Sequence, residues 1–274
     1  MSPGRARVLL VEDDASIRRY VRLALEDLAL DLVEASTLAE ARAEMEAAPV
    51  TLLLTDLMLP DGHGIELLAS AAAGAALRRV VFSAGVDARM RERLQALGVH
   101  AVLEKPVSLP ALLACVESAL AECLPGPAIA GPVASVAAEG SAASATSAAA
   151  SAALPCATDP TDPIHGTNAN EAERLRAIEL HFGGDAALYS AFRAAALDQF
   201  EADLRAGETA LAQADAAALR RVAHNLKSAL RLLGCDAPAE LARRLESLAA
   251  ENAAPSRLAA AWQPLGESLH RLRA

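Results

Sequence analysis

The sequence predicts two domains of different class: a doubly wound α/β domain with a five-stranded parallel sheet, then a linker, then an all-α helical bundle. Three observations predict this. The first 123 residues alternate short apolar runs with amphipathic segments. Residues 124–167 are dominated by Pro, Gly, Ser and Ala, with no persistent apolar face. The last hundred residues carry apolar side chains at helical spacing, broken only briefly. A length of 274 residues also suits two small domains better than one core.

The strand candidates, in order, are 7–11, 30–34, 52–55, 80–83 and 101–103, each a short apolar run. Amphipathic stretches at 16–28, 38–47, 64–73, 88–97 and 110–123 are the helices between and after them. Apolar strands alternating with helices imply a parallel sheet covered on both faces. The crevice of such a sheet lies at the carboxyl ends of its strands. In the second half, 185–213 repeats apolar residues at helical spacing (Leu188, Phe192, Leu204, Leu211). Asp215 is placed to cap a helix that runs to Leu233 and stops at Gly234. Helices at 238–250 and 256–273 follow, and short connections make them antiparallel neighbours.

Composition narrows the function classes. The formal net charge is −10, and no basic stripe appears, so a nucleic-acid surface is not expected. Residues 1–123 hold 12 basic and 18 acidic residues, net −6, so the surplus acid lies mainly in the first half. No run reaches the about 18 apolar residues of a membrane span, so no membrane insertion is expected. The four cysteines form no CxxC pair and no zinc spacing and read as small apolar or incidental residues in a reducing, cytoplasmic compartment. No GxxxxGK[ST] motif and no ATP-lid glycine box appears, so no ATP-binding kinase domain is expected.

Only two lysines occur, Lys105 and Lys227, among many arginines. A compact ammonium on a flexible stem is a different tool from a planar guanidinium. Lys105 lies downstream of a strand-end aspartate, Asp56, and Lys227 one helical turn after His224. Glu12-Asp13 end the first strand and Asp56 the third, so three carboxylates meet in one crevice. Together they call for a hard divalent cation, and Mg²⁺ suits a phosphate site. Ser83 ends the fourth strand as a hydroxyl donor, and Lys105 follows the fifth as a positive charge. A nucleophilic carboxylate, a metal site, a hydroxyl and a cation are what phosphoryl transfer to aspartate requires. Any one of these acids alone reads as a turn former or helix entry.

The pieces Val11-Glu12-Asp13-Asp14, Thr55-Asp56-Leu57-Met58-Leu59-Pro60-Asp61-Gly62, Ser83-Ala84 and Glu104-Lys105-Pro106 resemble the receiver domain of two-component response regulators, over residues 5–123. The resemblance implies a flavodoxin-like fold, Asp56 as phosphoacceptor, and Glu12, Asp13, Asp56 and the Met58 carbonyl as Mg²⁺ ligands. It also implies Ser83 and Lys105 as phosphoryl contacts and a cis peptide before Pro106. It departs at Val102, where the family has the Tyr or Phe that moves inward on activation, and in a shorter segment between Asp56 and Ser83.

On the helix from Asp215, His224, Lys227, Ser228 and Arg231 share one face, while Leu226, Leu230 and Leu233 face the bundle. This puts the imidazole in water beside two cations. The competing reading is an ordinary surface histidine of an amphipathic helix; a metal site is the weaker rival. The other histidines read as loop or surface residues. Residues 168–274 resemble a histidine-containing phosphotransfer (Hpt) domain through Gly183-Gly184-Asp185, Ala223-His224-Asn225-Leu226-Lys227-Ser228, Gly234 and Leu241-Ala242-Arg243-Arg244-Leu245-Glu246. The resemblance implies a four-helix bundle with His224 as acceptor; Lys227, one turn on, can hold the phosphoryl oxygens of a phosphohistidine.

Together the resemblances imply a phosphorelay intermediate. Phosphoryl would pass between a sensor histidine kinase, Asp56, His224 and a downstream response regulator. A regulatory binding protein whose receiver domain gates the bundle, or a phosphate sink, is the alternative. A flexible linker over 124–167 would span roughly 35 Å, enough for the two acceptors to meet.

Overall fold

The computed structural model describes residues 5–70, 77–83, 85–121 and 164–273. Most of the expected linker lies outside these residues, as do Cys123, Cys156, Ala84 and the end of the helix expected over 64–73.

Five strands, β1 (Ala6–Val11), β2 (Leu30–Ala35), β3 (Leu52–Asp56), β6 (Arg78–Ser83) and β7 (Ala101–Glu104), form one parallel sheet in the order β2-β1-β3-β6-β7. Setting aside a two-residue hairpin, β4 (Met58–Leu59) with β5 (Gly62–His63), this is the 2-1-3-4-5 order of a flavodoxin-like sheet. The alternation of the strands explains the two faces. Leu9, Val11, Leu53 and Val81 point to one side, where they meet α2 (Leu38–Ala47), α3 (Ile65–Ser70) and α4 (Ala88–Ala96). Val8, Leu10, Leu52, Leu54, Val80 and Phe82 point to the other, under α1 (Ala15–Ala24) and α5 (Leu109–Ala121).

Capping fixes where the helices start. Asp14 accepts from the Ser16 and Ile17 amides at 2.7 and 3.2 Å, and Thr37 caps α2 through the Glu40 amide. Asp61 accepts from the Leu38 and Ala39 amides at 2.8 and 2.9 Å, which ties the loop after β3 to α2.

The second half is helical throughout: α6 (Ile164–Phe182), α7 (Ala186–Ala212), α8 (Ala216–Leu232), α9 (Asp236–Ala250) and α10 (Pro255–Arg273). α6 begins at Ile164, inside the stretch expected as linker, so one helix precedes the four-helix core of α7–α10. Asp185 and Asp215 cap α7 and α8 through the Leu188 and Ala218 amides. Gly234 ends α8 at φ +77°, and a Cβ there would lie 2.9 Å from the Ala177 Cβ and the Glu173 carbonyl. Both facts favour glycine.

The two halves share one apolar core. The α1–α5 side of the sheet runs on into the bundle. Tyr20 of α1 meets Phe182 of α6 and Phe192 of α7 edge-on, with ring centroids 5.5 and 5.9 Å apart. Such pairs contribute about 0.5–1.5 kcal/mol each beyond area burial. α1 packs along α7, and Ser228 and Leu232 of α8 border a small gap with Tyr20, Val21, Lys105 and Pro106.

Candidate phosphoryl-transfer site

The parallel register brings the ends of the strands level. Val11 pairs with both Ala35 and Thr55, Asp56 with Phe82, and Ser83 with Glu104. Glu12, Asp13, Asp56, Ser83 and Lys105 therefore surround one crevice. Lys105 Nζ donates to Glu12 Oε2 at 2.6 Å and to Asp56 Oδ2 at 2.8 Å. The Met58 amide donates to Asp56 Oδ1 at 3.2 Å. Ser83 Oγ donates to the Gly85 carbonyl at 3.0 Å. The Lys105–Pro106 peptide is cis. Gly64 packs so tightly on the Asp56 carbonyl that no side chain fits there.

Electrostatics in the crevice are strained. Burial pushes the Glu12 carboxyl up to about 8; Lys105 pulls it down, and Asp56 and Asp13 add to the rise. Burial also raises Asp13, against a hydrogen bond from Asn225. Burial works against the Lys105 ammonium, but Asp56 and Glu12 outweigh it and raise its pKa. One cation among three carboxylates is too little. Ligand atoms of Glu12, Asp13 and Asp56 lie within 4.8 Å of one another. Glu12 Oε1 and Asp13 Oδ1 are buried without a hydrogen-bond partner. Two orphaned oxygens on a hard-ligand cluster fit a small divalent cation.

The bundle places its own residues over this crevice. His224 stands on α8 at 4 % exposure, Lys227 at 7 % and Ser228 at 2 %. This corrects the expectation that the His224 face meets water. Two things cover it, neither visible in the helical period of α8: the receiver-like half, and Glu246 from α9. Glu246 Oε1 lies 2.7 Å from His224 Nδ1, and its Oε2 accepts from Lys227 Nζ at 2.6 Å. Burial pushes Glu246 up, but these hydrogen bonds outweigh it and hold it at about 2. An ionised carboxylate only accepts, so Nδ1 carries the proton. In the neutral ring Nε2 then keeps its lone pair, and Nε2 is buried with no partner. Arg231, at the last turn of α8, makes no ion pair among the described residues.

Three contributors carried no role in the sequence. Glu246 is one; a signal existed, since His224 lies ten residues before Gly234 and Glu246 twelve after, which an antiparallel hairpin brings level. Asn225 is another: its Nδ2 donates to Asp13 Oδ2 at 3.1 Å, across the two halves. Asp203 of α7 is the third, buried and near Asp14 and Asp13. Asn225 lies in the motif around His224, but nothing local pairs it with Asp13, and no local pattern marks Asp203.

Two family models match separate parts of the chain. The response regulator receiver domain matches residues 8–117, and the Hpt domain matches residues 191–274. The chain joins a receiver domain to an Hpt domain. Among curated proteins it resembles the KDP operon transcriptional regulatory protein KdpE of Escherichia coli (strain K12), 34% identical over 113 residues, 41% of this chain and 50% of that protein. It also resembles the swarming motility regulation protein RssB of Serratia marcescens, 32% identical over 118 residues, 40% of this chain and 51% of that protein. The chain thus spans about half the length of these relatives. A solved response regulator receiver protein from Pseudomonas putida is 32% identical, with a TM-score of 0.39, over 42% of this chain and 98% of that one. A receiver domain and an Hpt domain in one chain support a phosphorelay role in two-component signalling. No helix among the described residues is long and apolar enough to cross a membrane.

Proposed function

We propose that the chain is a phosphorelay intermediate in which Asp56 and His224 exchange a phosphoryl group within one closed molecule. The observation that carries this reading is the bare, buried Nε2 of His224 on a helix tied to the Asp56 crevice through Asn225 and Asp13. Transfer breaks the P–O bond to Asp56 and forms a P–N bond to Nε2, whose lone pair is the nucleophile. Glu246 keeps the proton on Nδ1, so no proton has to leave Nε2 first. Lys105 and Ser83 hold phosphoryl oxygens on the receiver side and Lys227 on the Hpt side. As Asp56 loses the phosphoryl group, Lys105 returns to its carboxylate. Glu12, Asp13, Asp56 and the Met58 carbonyl would hold Mg²⁺, which neutralises phosphoryl charge when bound. Residues 5–123 and 168–274 are the two working units, with a sensor histidine kinase and a downstream response regulator as outside partners in the cytoplasm.

Intact-mass measurement after incubation with a small phosphodonor and Mg²⁺ tests the assignment. Phosphate uptake should vanish in Asp56→Asn and with chelator; uptake that persists in either case would remove Asp56 from its role.

A second reading has one specific observation in its favour. With His224 only 4 % exposed, no other protein reaches Nε2 while the halves are together. The receiver domain would then gate the bundle, and kinase or regulator would act on an opened form. Forward flow of phosphoryl into a purified regulator separates a relay from a gate or a sink.

A further inference from the structure

Helix α8 crosses the mouth of the receiver crevice in a readable order. Ser228 adjoins Lys105 and Pro106 past β7, and Asn225 reaches Asp13 past β1. Arg221 falls one turn further back on the same face, beside the loop that follows β3. There the two halves enclose a cleft of about 380 Å³. That is within the ~300–1,000 Å³ typical of small-molecule sites. One wall is Met58, Gly62 and His63; the other is Arg220, Arg221 and Ala250.

The chemistry of the lining is one-sided. Although the chain carries 35 acidic residues, none lines this cleft. Neither Arg220 nor Arg221 makes an ion pair among the described residues, whereas Arg7, Arg22, Arg42 and Arg243 do. Arg221 is half-buried, which strengthens its field, and Arg220 is exposed at the entrance. Alanines on the bundle wall leave room for a tetrahedral ion. The Met58 amide on the opposite wall is bonded to Asp56, so the cleft lies next to the phosphoryl acceptor.

We propose that this cleft is a phosphate-binding site, with the forked guanidinium of Arg221 as its anchor and Arg220 as its outer contact. The ligand is a tetrahedral phosphate dianion, which a planar guanidinium matches with two parallel N–H donors. Two sources offer that chemistry: inorganic phosphate released from Asp56, and the phosphate end of a small acyl phosphate. Because the walls come from both halves, bound phosphate also holds them together by mass action. The site does not require that the chain relay phosphoryl groups.

The test uses the full chain carrying Asp56→Asn and His224→Gln, so that covalent phosphorylation cannot mimic binding. Inorganic phosphate is titrated calorimetrically, and labelling of Arg221 by phenylglyoxal is followed by peptide mass with and without phosphate. The proposal expects saturable binding, protection of Arg221, and at least tenfold weaker binding in Arg221→Ala. Ala250→Glu, at an exposed position, leaves both arginines in place but sets a carboxylate in the cleft, and should weaken binding as much. Competition by a non-hydrolysable acylphosphonate assigns the source: tighter binding than phosphate marks an incoming donor, weaker binding a leaving product. Absence of saturable binding, unprotected Arg221, or unchanged affinity in either variant overturns the proposal.

Discussion

Glu246 illustrates how one carboxylate can set the chemistry of a histidine. It holds Nδ1–H of His224 with one oxygen and the Lys227 ammonium with the other. Glu246→Gln keeps the size of the side chain but removes a charge-assisted hydrogen bond worth about 1.5–3 kcal/mol. Phosphorylation of His224 should then slow by on the order of 10- to 100-fold with helicity unchanged, read by quench-flow and circular dichroism. An unchanged rate would mean that the ring is oriented by its packing alone. Gly64→Ala probes the other proposed acceptor, Asp56. The added methyl collides with the Asp56 carbonyl, so the urea midpoint should drop by the equivalent of about 1–3 kcal/mol, with slower phosphate uptake. Glu12, Asp13, Asp56, Ser83 and Lys105 were legible in the sequence because strand ends are local signals and a parallel sheet must bring them level. The burial of His224 and Lys227 was not, because the surface that covers them belongs to elements far along the chain.

At the level of elements, the receiver strands and the helices α7–α10 match the apolar periods closely, since each is specified by its own caps and spacing. The packing of α1 on α7 left no such trace: nothing in the sequence marks Tyr20, Phe182 and Phe192 as partners across the two halves. That contact has a consequence for pH. Asp203 of α7 is lifted to about 7 by burial and by the Asp14 charge, with Asp13 adding and Gln199 opposing. Its folded pKa lies above the unfolded value of 3.8, so its contribution is fully present below that value. It is lost as pH rises from there to about 7. Glu12, also raised by burial, works in the same direction up to about 8. Asp203→Asn should therefore raise the urea midpoint of the full chain at about pH 8, with the gap to the parent closing as pH falls toward about 4. A gap of constant size across that range would show that Asp203 does not titrate with folding. Phe192→Ala, which empties the centre of the shared core, should cost about 3–5 kcal/mol. Loss of stability in both domain transitions would mark a cross-domain contact, and loss in one alone would not.

For the whole molecule, the docked arrangement brings the two proposed acceptors, which the sequence set in separate domains, under one shared interface. Asn225 donates to Asp13, the core is continuous, and His224 Nε2 has no partner among the described residues. Exchange between Asp56 and His224 should then occur inside one chain. The most direct measurement starts from chains phosphorylated on Asp56 and follows acid-labile phosphate appearing on His224 over a range of protein concentrations. A mixture of Asp56→Asn chains with His224→Gln chains is followed in parallel. The docked arrangement predicts a first-order rate independent of concentration for the intact chain, and slow, concentration-dependent transfer in the mixture. Equal rates for the mixture and the intact chain at micromolar protein would contradict it, because the exchange would then run between molecules.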